Sequence, residues 1–417
     1  MDKVHIIDTP FKGIDLTEIS EEYGTPIYVY DMRFVLNRIR SLKDYLGDEF
    51  ELYYAVKANP NKDILTVLSQ EADGVDISSG GELQQSLEGG FKPEHMSFAG
   101  PGKSINELEE AVKRNIGSIS IESLQELKRI QSLAEEMKVQ ANVSLRINPA
   151  QVFKEFAIKM GGRSSQFGID EEKCEEFFTL LERSSNCNFI GYHVYSGTQC
   201  LISEALLDNF KNTMDIVRRF TQKFNAVPRQ INFGGGFGVP YYKKQSHLAA
   251  EEVCRSLSTL FSDFKKDLDL PRLIGVLELG RYIIAEAGYY ITQVVDKKIS
   301  RKKVYCVLNG GMNHHLAASG NFGQVIRKNF RIINISNPND KKFETVTLVG
   351  PLCTTIDVMG DKVEIPRVNI GDYLGFLNSG AYAFTASPLL FLSHPQPGEI
   401  MVDDSNQVKK IPSVGDR

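Results

Sequence analysis

The chain has 417 residues, 42% of them hydrophobic and 24% charged, with a formal net charge of −5 at pH 7. That length buries a large core and predicts two domains, or one barrel with an extension. The slight acidity gives no electrostatic footing for nucleic acid or an anionic membrane. The cysteines, at 174, 187, 200, 254, 306 and 353, form no CxxC pair and no short-range framework, a usage that fits reduced thiols in a cytoplasm. The opening MDKVHIIDTPFKG has no apolar stretch of signal-peptide type and no run reaches membrane length, so a cytoplasmic location is expected, with no membrane partner.

Along the chain, Leu16–Tyr23 reads as a helix and 26–30 as an alternating, edge-like strand. A regular rhythm begins near residue 32. Apolar strands are predicted over 52–57, 74–78, 95–99, 118–121, 142–147, 189–195, 230–233 and 273–279. Helical patterns over 62–71, 105–114, 123–137, 171–181 and 203–220 fall between them. Eight strands alternating with helices in about 250 residues predict an α/β fold with a parallel (β/α)₈ barrel. After Arg281 the helices thin out, and strands over 288–297, 303–309, 344–349, 372–378 and 399–402 predict an all-β domain. The N-terminal strand joins it, because a strand ahead of the barrel needs a sheet to pair with. The expected domains are thus 31–281 for the barrel, and 1–30 with 282–417 for the β domain.

Polar residues then fall at the carboxyl ends of barrel strands, where such enzymes place their chemistry. Lys57 ends the first strand, Asp76 the second, with Glu82 six residues on, Arg146 the fifth and His193 the sixth. The seventh runs into Gly234–Gly236 and the eighth into Glu278 and Arg281. A lysine whose surroundings disfavour its charge is a nucleophile, suited to a Schiff base with a carbonyl, pyridoxal phosphate being the commonest partner. Bare glycines let backbone N–H groups approach phosphate oxygens. Singly, each has a plainer reading: a lysine that snorkels to solvent, a tight turn, a hydrogen-bonded core histidine, a structural Glu278–Arg281 ion pair. Jointly, an amine, a ring platform, a phosphate cradle and an acid converge on one barrel mouth. The adjacent His314 and His315 lack a carboxylate or cysteine at chelating spacing, so no metal is expected.

The ordered set YYAVKAN (53–59), GVDISSGGE (74–82), LRIN (145–148), GYHVYSGTQ (191–199), INFGGGFG (231–238), ELGRY (278–282), GPLC (350–353) and SGAYA (379–383) resembles the fold-type III pyridoxal-phosphate-dependent decarboxylases. These include diaminopimelate and eukaryotic ornithine decarboxylases, and the likeness runs from about residue 25 to about 395. It implies an alanine-racemase-like barrel plus a β domain, and a homodimer with shared active sites. By resemblance Lys57 is the Schiff-base lysine and His193 the imidazole stacked on the cofactor ring. Ser196, Gly234, Gly235, Gly236, Arg281 and Tyr382 form the phosphate set, and Asp76, Glu82 and Arg146 the surrounding polar network. Glu278 pairs with the pyridine nitrogen, and Cys353 protonates the decarboxylated carbon across the dimer interface. A carboxylate at the ring nitrogen favours decarboxylation over racemisation, because it keeps the ring protonated and electron-accepting. The full β domain speaks against a non-catalytic cofactor-binding protein.

The substrate region departs from the family. Where diaminopimelate decarboxylases follow the cysteine with glutamate and ornithine decarboxylases with aspartate, this chain has Thr354 and Thr355. The arginine-containing stretch after Gly311-Met312-Asn313 is replaced by His314-His315-Leu316-Ala317. In these features, and in Lys159–Gly162 and His193–Gln199, the chain is similar to decarboxylases of secondary metabolism. One is the butirosin-pathway enzyme acting on a glutamyl group carried by an acyl carrier protein, and siderophore-pathway members come next. The expected reaction is decarboxylation of an L-amino acid or a conjugate of one, with Thr354, His314 and His315 as substrate-binding hydrogen-bond donors. The alternatives are diaminopimelate decarboxylation for lysine biosynthesis and, less favoured, racemisation.

Overall fold

The computed structural model describes residues 10–151, 156, 158–159, 164–322, 324 and 327–413. Met160–Gly162 of the similarity noted above lies outside them. Contacts divide the chain into two compact units, residues 38–239 with 246–282, and residues 1–37 with 240–245 and 283–417. The strip 240–245 groups with the second unit, whereas the boundaries drawn from the sequence left it in the barrel.

After β1 (Ile27–Asp31), which belongs to the second unit, come β2 (Phe50–Ala55), β3 (Gly74–Ile77), β4 (Met96–Phe98), β5 (Ser118–Ile121), β6 (Ala141–Asn148), β7 (Cys187–Val194), β8 (Gln230–Asn232) and β9 (Ile274–Leu279). Each pairs in parallel with the next, and β9 pairs with β2, so the sheet closes on itself. The strands are short and almost wholly buried, with Leu52, Tyr54, Val75, Phe98, Leu145, Tyr192, Ile231 and Val276 filling the interior. Such runs lack a two-residue alternation because both faces of each strand are covered.

Local capping fixes where the helices leave the strands. Asn61, Ser79, Ser104 and Ser123 each accept a backbone N–H in the first turn of the following helix, and Ser104 forms a reciprocal capping box with Glu107. These caps follow β2 to β5 directly, so the loops at the carboxyl ends of those strands are short and ordered.

In the second unit β1 is no edge strand. It lies between β10 (Gly288–Ser300), antiparallel, and Gly398–Val402, parallel, and all five of its residues are buried. Its alternation sorts two kinds of interior: Ile27 and Val29 pack with Phe11, Tyr289, Ile291, Ile400 and Val402. Tyr28 and Tyr30 turn the other way and donate their hydroxyls to the His314 carbonyl at 2.6 Å and to Glu399 at 2.8 Å. Buried tyrosines with satisfied hydroxyls look polar in sequence, hence the edge-like reading. The strands at 332–334, 358–366 and 408–411 complete the sheet and went unpredicted.

Candidate active site

Lys57 lies two residues beyond the end of the strand in which it was expected, in a single helical turn, Val56–Ala58, that follows β2. Its side chain is 43% exposed and its Nζ sits 2.9 Å from Oδ2 of buried Asp76 on β3. Lysine and aspartate are brought together as expected, but the amine is a half-exposed ion-pair partner and not a desolvated lysine. The other Asp76 oxygen, Oδ1, is buried without a hydrogen-bond partner among the described residues.

The histidine and the glycine loop come from β7 and β8, and Glu278 from β9, the strand beside β2. His193, on β7, is buried, and its Nδ1 lies 2.9 Å from Ser120 Oγ on β5. Ser120, Ser144 and Ser118 continue this as a chain of hydroxyls through the barrel interior. The other ring nitrogen, Nε2, has no hydrogen bond among the described residues and stands 3.5 Å from Glu278 Oε2. Burial, then the charges of Arg146, Lys57 and Lys103, push the His193 pKa well below its ordinary value, so the ring is neutral.

Glu278 on β9 is joined to the glycine loop through a residue not singled out in the sequence. Asn232 donates its amide to Glu278 Oε1 and accepts the Gly234 N–H on its Oδ1 at 2.8 Å. The Gly234 N–H is a donor only, which fixes the orientation of the amide. Gly234 and Gly236 have φ of +60° and +98°, and a Cβ on Gly235 would run into the Glu278 carbonyl. Glycine is required at these positions on steric grounds. Ser196 Oγ, also buried, has no partner among the described residues. Arg281 opens the short helix Arg281–Ile284 directly after β9.

Arg146 on β6 is held by Glu122, which the sequence reading missed. Glu122 Oε1 accepts from Arg146 at 2.7 Å and from Gly100 N at 2.5 Å, while Oε2 accepts from Gly168 N at 3.1 Å. Glu122 follows β5 in a serine-rich context with no motif to mark it. Glu82 caps its own helix by accepting from Ser78 N at 2.6 Å.

Of the residues expected from the second unit, Cys353 is exposed and unpaired. Its loop is fastened by Asp357, whose two carboxylate oxygens accept from Met312 N at 2.7 Å and Leu352 N at 2.9 Å. Thr354 and Thr355 line a cleft of about 680 Å³ with Lys298, Tyr305, Arg327 and Asp361. His314 and His315, expected as substrate donors, are not among its lining residues. Both are buried in the unit's interior. His314 engages Tyr290 Oη and the Pro395 carbonyl, and His315 engages Ser379 Oγ and the Ala318 N–H. With both nitrogens of each ring occupied they are core histidines, and burial lowers their pKa values to about 4 and about 3. Tyr382 has φ of +53°, uncommon for a tyrosine, in the turn after Ser379.

Two carboxyls in the barrel mouth carry a stability signature. Burial, with Asp76 adding, raises the Glu278 pKa to about 8 against the pull of Lys57, Asn232 and Arg146. Burial, opposed by the Ser78 N–H, raises that of Glu82 to about 7. Between the ordinary value of 4.5 and these raised values, the folded protein holds protons that the unfolded chain has released, so stability falls as pH rises. The buried histidines act with the opposite sign, but only below their ordinary value of 6.5. Cofactor-free protein is therefore expected to lose thermal stability from pH 6.5 to 8, and Glu278→Gln to flatten the profile. A wild-type melting temperature that rises across this window contradicts the assignment.

An amine, a neutral imidazole, a buried carboxylate, a glycine turn and, among the described residues, the unsatisfied buried atoms Asp76 Oδ1, His193 Nε2 and Ser196 Oγ make a site suited to a ligand both aromatic and anionic. Residues 32–285 match the family described as pyridoxal-dependent decarboxylase, pyridoxal binding domain, and the chain belongs to that family. Over 390 residues it is 37% identical to the L-glutamyl-(BtrI acyl-carrier protein) decarboxylase of Niallia circulans, covering 93% of this chain and 91% of that protein. It is 31% identical, over 91% of this chain and 94% of the other, to the 2-((L-alanin-3-ylcarbamoyl)methyl)-2-hydroxybutanedioate decarboxylase of Staphylococcus aureus. The crystal structure of diaminopimelate decarboxylase from M. jannaschii aligns with a TM-score of 0.88 at 26% identity, over 97% of this chain and 93% of that one. The protein is a pyridoxal-phosphate-dependent amino-acid decarboxylase with the barrel-plus-sheet fold of that structure. No helix among the described residues is long and apolar enough to cross a membrane.

Proposed function

We propose that the chain decarboxylates an amino acid whose distal end is a carbonyl-bearing conjugate, such as a glutamyl group on an acyl carrier protein. The observation that carries this reading is the neutral Thr354–Thr355 pair where an acid would meet a distal ammonium. The cleft those threonines line balances the cations Lys298 and Arg327 with the carboxylates Asp357 and Asp361, so the reading rests on the threonines and not on a net charge. The substrates that the Niallia and Staphylococcus relatives are named for, a carrier-linked glutamyl and a carbamoyl-linked alanine, support the same class. The test is competition between carrier-bound glutamate or a small thioester mimic and free diaminopimelate, lysine and ornithine. The conjugate is expected to win. Turnover of meso-diaminopimelate at a kcat/KM of about 10⁴ M⁻¹s⁻¹ or above would return the chain to lysine biosynthesis.

In this reading pyridoxal phosphate supplies an electron sink for the pair left on Cα when the carboxyl group departs. Lys57 would anchor the cofactor, and the Ser196 hydroxyl, the Gly235 and Gly236 N–H groups, Arg281 and Tyr382 would hold its phosphate, the Gly234 N–H being taken by Asn232. Glu278 keeps a proton on the ring nitrogen, His193 packs on the ring, and Asp76 and Arg146 fix the surrounding charge. Cys353 returns a proton to Cα in the site of a second copy of the chain. Shared sites predict complementation: inactive Lys57→Ala mixed with inactive Cys353→Ala should regain activity, because one site of the mixed dimer keeps both residues. Absence of rescue after demonstrated subunit exchange removes Cys353 from the partner's site.

A further inference from the structure

Three consecutive glycines lose more backbone freedom on ordering than any other tripeptide, so a glycine cradle stays formed only if its surroundings hold it. From the barrel side two bonds hold its first residue: Asn232 accepts the Gly234 N–H, and the Glu278 N–H donates to the Gly234 carbonyl at 2.7 Å. From the other side the segment after Ser196 lies along the loop like a short strand. Cys200 N donates to the Gly236 carbonyl at 2.9 Å, Gly238 N donates to the Cys200 carbonyl at 2.8 Å, and Cys200 and Phe237 form a parallel bridge. The approach is close enough that a Cβ on Gly236 or on Gly238 would stand 2.8 Å from the carbonyl oxygen of Gly197 or of Cys200.

Gln199 closes this contact. Its amide Nε2 donates to the Val239 carbonyl at 2.5 Å, and its Oε1 accepts the Val239 N–H at 3.2 Å. Both polar groups of one backbone residue are thereby matched to both ends of one side chain. The residue does this from φ of +61°, a left-handed conformation uncommon for glutamine and maintained here by the bonds around it. The same short segment presents Ser196 Oγ, buried and without a partner among the described residues.

We propose that Gln199 is a positioning residue for phosphate recognition. It makes no contact with the cofactor, but locks the far end of the Gly234–Gly238 loop so that the Gly235 and Gly236 N–H groups between the two anchored ends stay aimed at the anion. This rests on the reading of that loop as the phosphate cradle. Preorganised donors bind an anion without the cost of ordering them, so loss of the lock should weaken the phosphate contact and leave the rest of the site alone.

The experiment compares pyridoxal phosphate with pyridoxal, which lacks the phosphate, by absorbance titration of the cofactor-stripped protein. Gln199→Glu keeps an acceptor for the Val239 N–H but opposes its carbonyl. Gln199→Gly removes the amide while relieving the positive φ, and carries the test should the charged variant not fold. Both variants are expected to bind pyridoxal phosphate at least about tenfold more weakly and pyridoxal as wild type does. Wild-type affinity for both ligands, or a proportional loss of both, overturns the proposal. If wild-type protein itself does not discriminate the two, the phosphate reading of the loop falls, and the role of Gln199 with it.

Discussion

Lys57→Ala is expected to lose turnover by about 10⁴-fold or more, equivalent to about 5 kcal/mol of barrier, while the protein stays folded and still binds cofactor. Lys57 lies outside the barrel core, with its side chain 43% exposed, so truncation to alanine opens no large cavity. What is lost is the amine that anchors the cofactor. The substitution also strands Asp76, whose Oδ2 has Lys57 as its ion-pair partner and whose Oδ1 has no hydrogen bond among the described residues. Lys57→Ala protein should therefore be less stable without cofactor, by an amount typical of an uncompensated buried carboxylate, about 3–5 kcal/mol at most. Activity within tenfold of wild type would displace Lys57 from the chemistry.

Glu278→Gln is the second substitution with a large expected effect, and it separates electronics from binding. Glutamine has the same volume, and its carbonyl oxygen still accepts from the Asn232 amide, so the Asn232 bridge to Gly234 is kept. A neutral amide cannot hold a proton on a pyridine nitrogen as a carboxylate does. The rate is expected to fall by about 10²-fold, or about 2.7 kcal/mol, with cofactor affinity little changed. An unchanged rate, measured by carbon dioxide release at saturating substrate, would mean that this carboxylate does not tune the ring.

Strand ends and glycine turns are legible in sequence because hydrophobic runs of barrel strands end abruptly at polar residues. Lys57, Asp76, Arg146, His193 and Glu278 were located that way, to within a residue or two of where the strands stop. The shell behind them was not legible. Glu122, Ser120 and Asn232 each connect elements far apart in the chain, and their partners follow from which strands neighbour one another. Ser120 reaches His193 only because β5, β6 and β7 are consecutive around the barrel. The histidine pair misled for a related reason: two adjacent imidazoles carry no periodic signal, and only the packed sheet shows that Tyr290, Pro395 and Ser379 occupy their nitrogens. Exposure was misjudged in the opposite sense at Lys57, where the chain leaves the strand two residues earlier than its apolar pattern suggests and the side chain is half-exposed.

The most direct test of the account is borohydride reduction of the cofactor-loaded protein, followed by peptide mapping. The reduced cofactor mass is expected on Lys57 alone, in the peptide containing Tyr53–Asn59, with loss of the visible absorption and of carbon dioxide release in step. A label on any other lysine, Lys103 included, would contradict the assignment of the barrel mouth and every role built on it.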